Sequence, residues 1–308
     1  MSGGAFLGTS AFAATVLEML SEAGHRPELA VTLPDRRRGR GRRELPSPVA
    51  ARAEELEIDV LKSGDVNQPS DRERIAAAGG QWASICAFGQ LIREPLLSQV
   101  PMLNVHPSLL PRWRGAAPIE RAIMAGDRRT GVAVMKLVAG LDSGPVALVE
   151  ETGIGPEEDF GELSGRLAVI GGRLLAEALA ATAEGRIEWA EQDDDAATYA
   201  EKIEPGERRI DPLHPAASIF DQVRALTPHI GSWLGLEGGD RLGVRSVTLL
   251  ADRDLDPGEI PSGREELVLG CREGALRLDL VQPPGKKPME GSAYLRGHGI
   301  PAVSRETE

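Results

Sequence analysis

Three side chains near the middle of this 308-residue chain have the chemistry to act on a carbonyl group. Asn104 and His106 stand two residues apart at the end of the apolar run Met102-Leu103-Asn104-Val105-His106. At strand spacing, residues i and i+2 point the same way, so an amide and an imidazole can converge on one reacting atom. A carboxylate, Asp142, follows in Gly140-Leu141-Asp142-Ser143-Gly144, where the flanking glycines suit a tight loop. An amide N–H stabilises a developing oxyanion, an imidazole moves a proton, and a carboxylate orients the ring or accepts a proton. Together they form a toolkit for acyl-type transfer.

Such groups need a rigid scaffold, and the chain reads as an α/β one. Ala5-Phe6-Leu7 is a short first strand, preceded by Gly3-Gly4 where apolar residues are expected. Ser10 is the expected N-cap of the first helix, Phe12, Val16, Leu17 and Leu20 its apolar face, and Gly24 its terminator. Leu29 to Leu33, Ile58 to Leu61, Trp82 to Ala87 and Met102 to His106 read as further strands. Pro48 fits the first turn of a helix running to about Leu56, and Asp71 to Ala78 a second one. Alternation of strands and helices implies a parallel sheet covered on both faces, with ligands beyond the carboxyl ends of the strands. Pro118 to Ala125 should be helical, Gly131 to Leu137 and Val146 to Glu150 extended, and Phe160 to Glu184 one long helix. The polar, acidic Gln192-Asp193-Asp194-Asp195-Ala196-Ala197-Thr198-Tyr199 then reads as a linker. Beyond it, Ser246 to Leu250, Leu267 to Cys271 and Ala275 to Val281 are short β-like runs separated by turn residues, the pattern of a small β-barrel.

Composition sets outer bounds. Apolar residues make up 41% and charged residues 27%, ordinary for a soluble globular protein of two domains. No run reaches the length of a membrane helix, the N-terminus lacks the pattern of a secretory signal, and Cys86 and Cys271 are far apart, as expected of free thiols in a reducing cytoplasm. The net charge of −12 argues against a general nucleic-acid surface. One local exception stands out: Arg36-Arg37-Arg38-Gly39-Arg40-Gly41-Arg42-Arg43 carries six arginines and no acid. A concentrated basic loop on an acidic body can steer a polyanion to one place, while arginine bridges phosphates and stacks on unpaired bases.

The Asn-x-His pair, the turn Ser108-Leu109-Leu110-Pro111 and the later Leu141-Asp142-x-Gly144 resemble the formyltransferases that use 10-formyltetrahydrofolate. The run Arg112-Trp113-Arg114-Gly115-Ala116-Ala117-Pro118-Ile119 is similar to the methionyl-tRNA formyltransferase branch. So are Thr198-Tyr199-Ala200-Glu201-Lys202-Ile203, Gly231-Ser232-Trp233 and Gln282-Pro283-Pro284-Gly285-Lys286-Lys287-Pro288-Met289. Pro107 is more typical of the small glycinamide ribonucleotide relatives, and Pro228-His229-Ile230 departs from the usual proline-rich form beside Trp233.

The resemblance implies a Rossmann-like formyltransferase domain with a mostly parallel sheet over 1–189, a linker over 190–206, and a C-terminal OB-like β-barrel over 207–308 that binds tRNA. It implies Asn104, His106 and Asp142 as catalytic residues. It implies that Ser108, Leu109, Leu110 and Pro111, with Phe88, Gly89, Gln90 and Leu91, contact the folate co-substrate. The arginine loop would lie along the tRNA acceptor arm through Arg36, Arg38, Arg40, Arg42 and Arg43, Arg40 foremost, and would be mobile when free. The implied protein is a cytoplasmic monomer whose partner is methionine-charged initiator tRNA.

Other chemistries fit poorly. Gly8-Thr9-Ser10-Ala11-Phe12-Ala13 lacks the later glycines of a dinucleotide fold, and no phosphate loop, H-E-x-x-H or paired C-x-x-C occurs. Neither a nucleotide cofactor nor a catalytic metal is expected. A folate-dependent enzyme acting on an amino sugar nucleotide shares the catalytic trio, and an RNA-binding protein with a dead transferase domain shares the architecture. The arginine loop and the C-terminal motifs favour tRNA over the first, and the intact trio argues against the second.

Overall fold

The computed structural model describes residues 4–38, 43–263 and 265–304. It divides into two units. One comprises Met1–Pro118, Arg129–Gly153 and Ser164–Ala200, and the other Ile119–Arg128, Ile154–Leu163 and Glu201–Glu308.

The first unit opens with β1 (Ala5–Gly8), α1 (Ala11–Glu22) and β2 (Leu29–Thr32). β1 is short for a local reason. Gly4 has φ +98°, and a Cβ there would meet the Trp82 carbonyl oxygen at 2.8 Å. That clash and the positive φ exclude an apolar side chain here, and the backbone is held in place by its N–H donating to the Ala78 carbonyl at 3.0 Å and its carbonyl accepting from the Glu28 N–H at 3.1 Å. Ser10 caps α1 through the Ala13 N–H at 3.2 Å, and Gly24 at φ +85° follows its end, as the sequence predicts. β3 (Arg36–Arg38) and β4 (Arg43–Leu45) pair as an antiparallel hairpin, with Arg38 opposite Arg43. The arginine loop therefore has strand-like arms; Arg40 and Arg42 at its tip lie outside the described residues.

α2 (Pro48–Glu55), β5 (Asp59–Lys62), α3 (Pro69–Ala77), β6 (Ala83–Cys86), α4 (Leu96–Gln99) and β7 (Met102–His106) continue the alternation. The two-residue β8 (Arg114–Gly115) and α5 (Pro118–Met124) precede β9 (Arg129–Lys136), β10 (Val146–Gly153) and α6 (Phe160–Ala183). The seven-stranded sheet has the order β10-β9-β7-β6-β1-β2-β5. Its β5-β2-β1-β6-β7 part is parallel, while β9 and β10 add antiparallel strands beyond β7. This is the α/β architecture the alternation predicts. The chain runs outward from β1 to β5 and returns to β6 on the other side of β1, which makes β1/β6 the switch point near which such sheets bind ligands.

The central strands are buried on both faces. The adjacent Phe6 and Leu7 are both fully buried, as are Leu103 and Met135, and Leu7, Val31, Ile85 and Met102 share one core cluster. The acidic stretch read as a linker is tied into this same unit up to Ala200. Ala190 bridges Val146, and β11 (Tyr199–Ala200) pairs in parallel with β8.

In the second unit, β12 (Arg209–Ile210), α7 (Ala216–Leu226), β13 (Ser232–Gly235), β14 (Arg241–Leu250), β15 (Val268–Gly270), β16 (Ala275–Gln282), β17 (Met289–Glu290) and α8 (Gly291–His298) follow in order. The strands form a mixed sheet in the order β12-β13-β14-β16-β15, with β17 beside β16. Its core joins Leu234, Leu242, Val244, Leu276 and Leu278 to Ile219 and Val223 of α7 and Leu295 of α8. Those two helices are additions to the β-rich expectation. In α7, Ala216, Ile219, Val223 and Leu226 recur at helical spacing and are all buried, a face that the search for turn signals passed over.

Candidate active site

β7 carries two of the three predicted groups, and its neighbours explain which way they face. Val105, between them, packs on α6 where Gly171 removes the obstacle; a Cβ at that glycine would lie 2.7 Å from Val105 Cγ1. Asn104 and His106 therefore project from the opposite face of the sheet. Both are buried.

Asp142 is brought over that face by the loop between β9 and β10. It has φ +45°, a region L side chains seldom adopt. Its Oδ1 lies 3.4 Å from Asn104 Nδ2, and its Oδ2 lies 3.6 Å from His106 Nδ1. The Gly115 N–H donates to the same Oδ2 at 2.9 Å. The structure thus brings the three predicted side chains into one group.

The ring of His106 is fixed from its other side. Nε2 stands 2.8 Å from the Trp113 carbonyl oxygen. A carbonyl only accepts, so Nε2 carries the hydrogen and Nδ1 is the nitrogen left to take up or release a proton. That nitrogen faces Asp142. Trp113 is itself held at φ +64°, with the Arg112 guanidinium 4.4 Å from its ring centroid and the Thr198 hydroxyl accepting from its N–H at 2.9 Å.

The turn after β7 behaves differently from a set of ligand-directed side chains. Ser108 is fully buried and its hydroxyl donates to the Arg112 carbonyl at 2.7 Å. Leu110 packs against Ala133, Met135 and Val146. In the loop after β6, Gln90 donates to the Ser63 carbonyl at 2.8 Å and accepts from the Val66 N–H at 2.9 Å. Phe88 is buried, and its carbonyl accepts from the Thr9 hydroxyl at 2.8 Å. Gly89 sits at φ +87°, and Leu91 is left 64% exposed. The polar side chains of both loops are used to hold the loops' own shape. What the loops can offer a flat heterocycle is backbone polarity and apolar surface at the carboxyl ends of adjacent strands.

Sequence reasoning missed two further residues of this site. Gln192 donates to the carbonyls of Asp142 and Gly144 at 2.8 and 2.7 Å. Arg114, only 3% exposed, donates from Nε to Gln192 Oε1 at 3.0 Å and from a terminal nitrogen to Asp194 Oδ1 at 2.7 Å. Both act on partners far along the chain, so local spacing carries no signal of them. Among the described residues, no group of three or more His, Cys, Asp or Glu side chains is arranged to hold a metal ion, and no helix is long and apolar enough to cross a membrane.

Comparison with known proteins gives a consistent picture. A family profile described as "Formyl transferase" matches residues 4–179, and one described as "Formyl transferase, C-terminal domain" matches residues 202–299. A methionyl-tRNA formyltransferase from Cereibacter sphaeroides is 41% identical over 302 residues, covering 97% of each chain. An N-formyltransferase from Helicobacter canadensis, solved with folinic acid and dTDP-3-aminofucose, superposes with a TM-score of 0.67 at 15% identity, covering 90% of this chain and 99% of that one. HypX from Aquifex aeolicus, solved with tetrahydrofolic acid, gives a TM-score of 0.66 at 16% identity over 97% of this chain. The match covers 48% of HypX, so the chain spans about half the length of that protein. The two solved structures speak for the fold alone.

Proposed function

The chain belongs to the formyl transferase family, and from that premise we propose that it transfers the formyl group of 10-formyltetrahydrofolate to the amino group of methionine on initiator tRNA, giving N-formylmethionyl-tRNA for translation initiation. The observation that carries this reading is the 41% identity, across 97% of both chains, to a methionyl-tRNA formyltransferase.

Asn104, His106 and Asp142 are the catalytic residues in this reading. The methionine nitrogen attacks the formyl carbon, and the carbonyl oxygen gains negative charge. The Asn104 amide donates to that oxygen; one such preorganised donor is worth roughly 3 kcal/mol of barrier. The amine gives up its proton to Asp142, directly or through water. Asp142 passes that proton to His106 Nδ1, which faces its carboxylate, and as the carbon–nitrogen bond to the folate breaks the departing nitrogen receives it from Nδ1. Amide, imidazole and carboxylate supply every role, so the reading requires no metal.

The folate would lie against the loops 88–91 and 108–111, recognised by backbone groups and by Leu91, Leu109 and Leu110. Residues 1–189 would form the catalytic domain, 190–206 the linker, and 207–308 the tRNA-binding domain of a cytoplasmic monomer. Arg36, Arg38, Arg40, Arg42 and Arg43 would meet tRNA phosphates. Replacing Arg40 with alanine is expected to raise the KM for tRNA and lower the slope of its salt dependence by about one. Unchanged tRNA kinetics at moderate salt would sink the loop assignment.

The deciding assay offers 10-formyltetrahydrofolate with methionine-charged initiator tRNA, charged elongator tRNA and uncharged tRNA in parallel. Transfer confined to the charged initiator is expected. A folded protein that formylates an amino sugar nucleotide and leaves charged initiator tRNA untouched would overturn the reading.

A further inference from the structure

We propose that Gln192 is a positioning residue for this transfer, the centre of a bracket that sets Asp142 against Asn104 and His106; the inference rests on the formyl-transfer reading of those three groups. The geometry of Asp142 poses the problem. Its two oxygens stand 3.4 Å from Asn104 and 3.6 Å from His106, distances too long for those contacts alone to define where the carboxylate sits. Its backbone occupies the left-handed region at φ +45°, which an aspartate holds only when its surroundings impose it.

The surroundings that impose it converge on one side chain. Both N–H bonds of the Gln192 amide are spent on the loop, one on the Asp142 carbonyl at 2.8 Å and one on the Gly144 carbonyl at 2.7 Å. Its own oxygen accepts from Arg114 Nε at 3.0 Å. Arg114 is flanked by Trp113, whose carbonyl faces His106 Nε2, and by Gly115, whose N–H holds Asp142 Oδ2. The circuit runs from the carboxylate loop through Gln192 to Arg114 and back, through the turn's backbone, to His106 and Asp142. Asp194 anchors it from outside at 2.7 Å from Arg114. Parallel pairing of β11 with β8 keeps the turn in register, and at Gly115 a Cβ would meet the Ala200 carbonyl at 2.7 Å. The acidic stretch before β11 therefore supplies a working part of the site, though neither of its bracket residues touches a reacting atom.

Misplacement of a catalytic group by about 1 Å can cost on the order of 10²-fold in rate. Gln192→Leu keeps much of the volume and removes all three hydrogen bonds. Single-turnover formyl transfer and KM for charged initiator tRNA are measured for Gln192→Leu in the wild-type background and beside Asp142→Asn, with thermal melting alongside. The expected result is a kcat roughly 10- to 100-fold lower, a KM for tRNA within about threefold, and no further loss when Asp142 is already asparagine. Equal losses in both backgrounds, or a change in KM with kcat intact, overturn the bracket. Gln192→Glu keeps an acceptor for Arg114 but turns carboxylate oxygens toward two carbonyls, and is expected to leave kcat low; recovery of wild-type kcat would count against the proposal.

If Gln192→Leu fails to fold, Asp194→Asn tests the outer end of the same circuit, since that carboxylate side chain is 80% exposed. A fall of about three- to fivefold in kcat that vanishes beside Asp142→Asn is expected. No fall, or one that persists beside Asp142→Asn, overturns the bracket. A wild-type protein that transfers no formyl group overturns the underlying reading as well. Normal wild-type transfer with additive losses overturns the bracket alone.

Discussion

Of the histidine–carboxylate pairs among the described residues, two, one in each unit, are built in opposite ways. In the first unit His106 and Asp142 face each other at 3.6 Å, both side chains largely buried. In the second, His229 Nε2 lies 2.9 Å from Glu120 Oε1, and the imidazole stacks on Phe160 with ring centroids 3.7 Å apart. The second pair is closed: ring and carboxylate satisfy each other directly. The first is held apart by backbone groups, with Trp113 fixing one nitrogen of the ring and Gly115 fixing one oxygen of the carboxylate. A pair that has already spent its hydrogen bonds on itself stabilises a fold. A pair whose facing atoms are positioned but not joined keeps hydrogen-bonding capacity for a reacting molecule.

The sharpest way to break this contrast is to remove each histidine and compare. His106→Ala and Asp142→Asn are expected to lower turnover by about 10²- to 10⁴-fold, the usual range for general acid–base groups, while tRNA affinity stays within a small factor. Rapid-quench formyl transfer and filter binding give the two numbers. Near-normal turnover in either variant would mean that the open pair is not the reactive one.

His229→Ala should do the reverse. Loss of the ring stack and the exposed pair is expected to cost about 1–2 kcal/mol of stability, seen as a lower Tm, with kcat within about twofold of wild type. His229→Phe keeps a ring on Phe160 and should recover part of the Tm. If His229→Ala abolished transfer as His106→Ala does, the two pairs would not divide into chemistry and structure.

The two histidines were not equally legible in the sequence, and the reason is physical. His106 announces itself because strand periodicity alone puts it beside Asn104, and Asp142 because glycines flank it. His229 shows only as a departure from a proline-rich motif; its partners, Glu120 and Phe160, lie 109 residues away for the first and in another helix for the second. Gln192 and Arg114 were hidden for the same reason, since their contacts span 48 to 80 residues and one of them stands in a stretch whose composition reads as linker. The parallel strands were legible as short, mostly apolar runs alternating with helical segments. Helix α7 was not, because its apolar face lies just before a series of β-like runs whose turn signals dominate the reading. Ser108 and Gln90 lie in loops, but the side-chain bonds that lock those loops could not be seen from residue types.

The smallest expected effect separates the closed network from the open site by pH. Beside Glu120 on α5, Arg121 donates to both oxygens of Glu207, at 3.0 Å from its second terminal nitrogen to Oε2, and also to the carbonyl of Glu201 at 3.0 Å. The Arg121 guanidinium bonded to it holds the Glu207 carboxyl below its ordinary value of 4.5, although partial burial opposes the shift. A carboxylate whose pKa is depressed by folding contributes stability that is fully present above the unfolded value. That contribution is lost as pH falls from the unfolded value through the folded one. The pair is partly exposed, so about 1 kcal/mol or less is at stake. Melting curves of wild type and Glu207→Gln should therefore differ at neutral pH and converge as the pH is lowered below the ordinary carboxylate range, with the variant the flatter of the two. Formyl transfer at neutral pH should be nearly the same in both at temperatures where both are folded. Parallel melting curves across the acid range would remove Glu207 from the acid sensitivity of the second unit, and a loss of transfer at neutral pH would show that the closed network does more than hold its own fold.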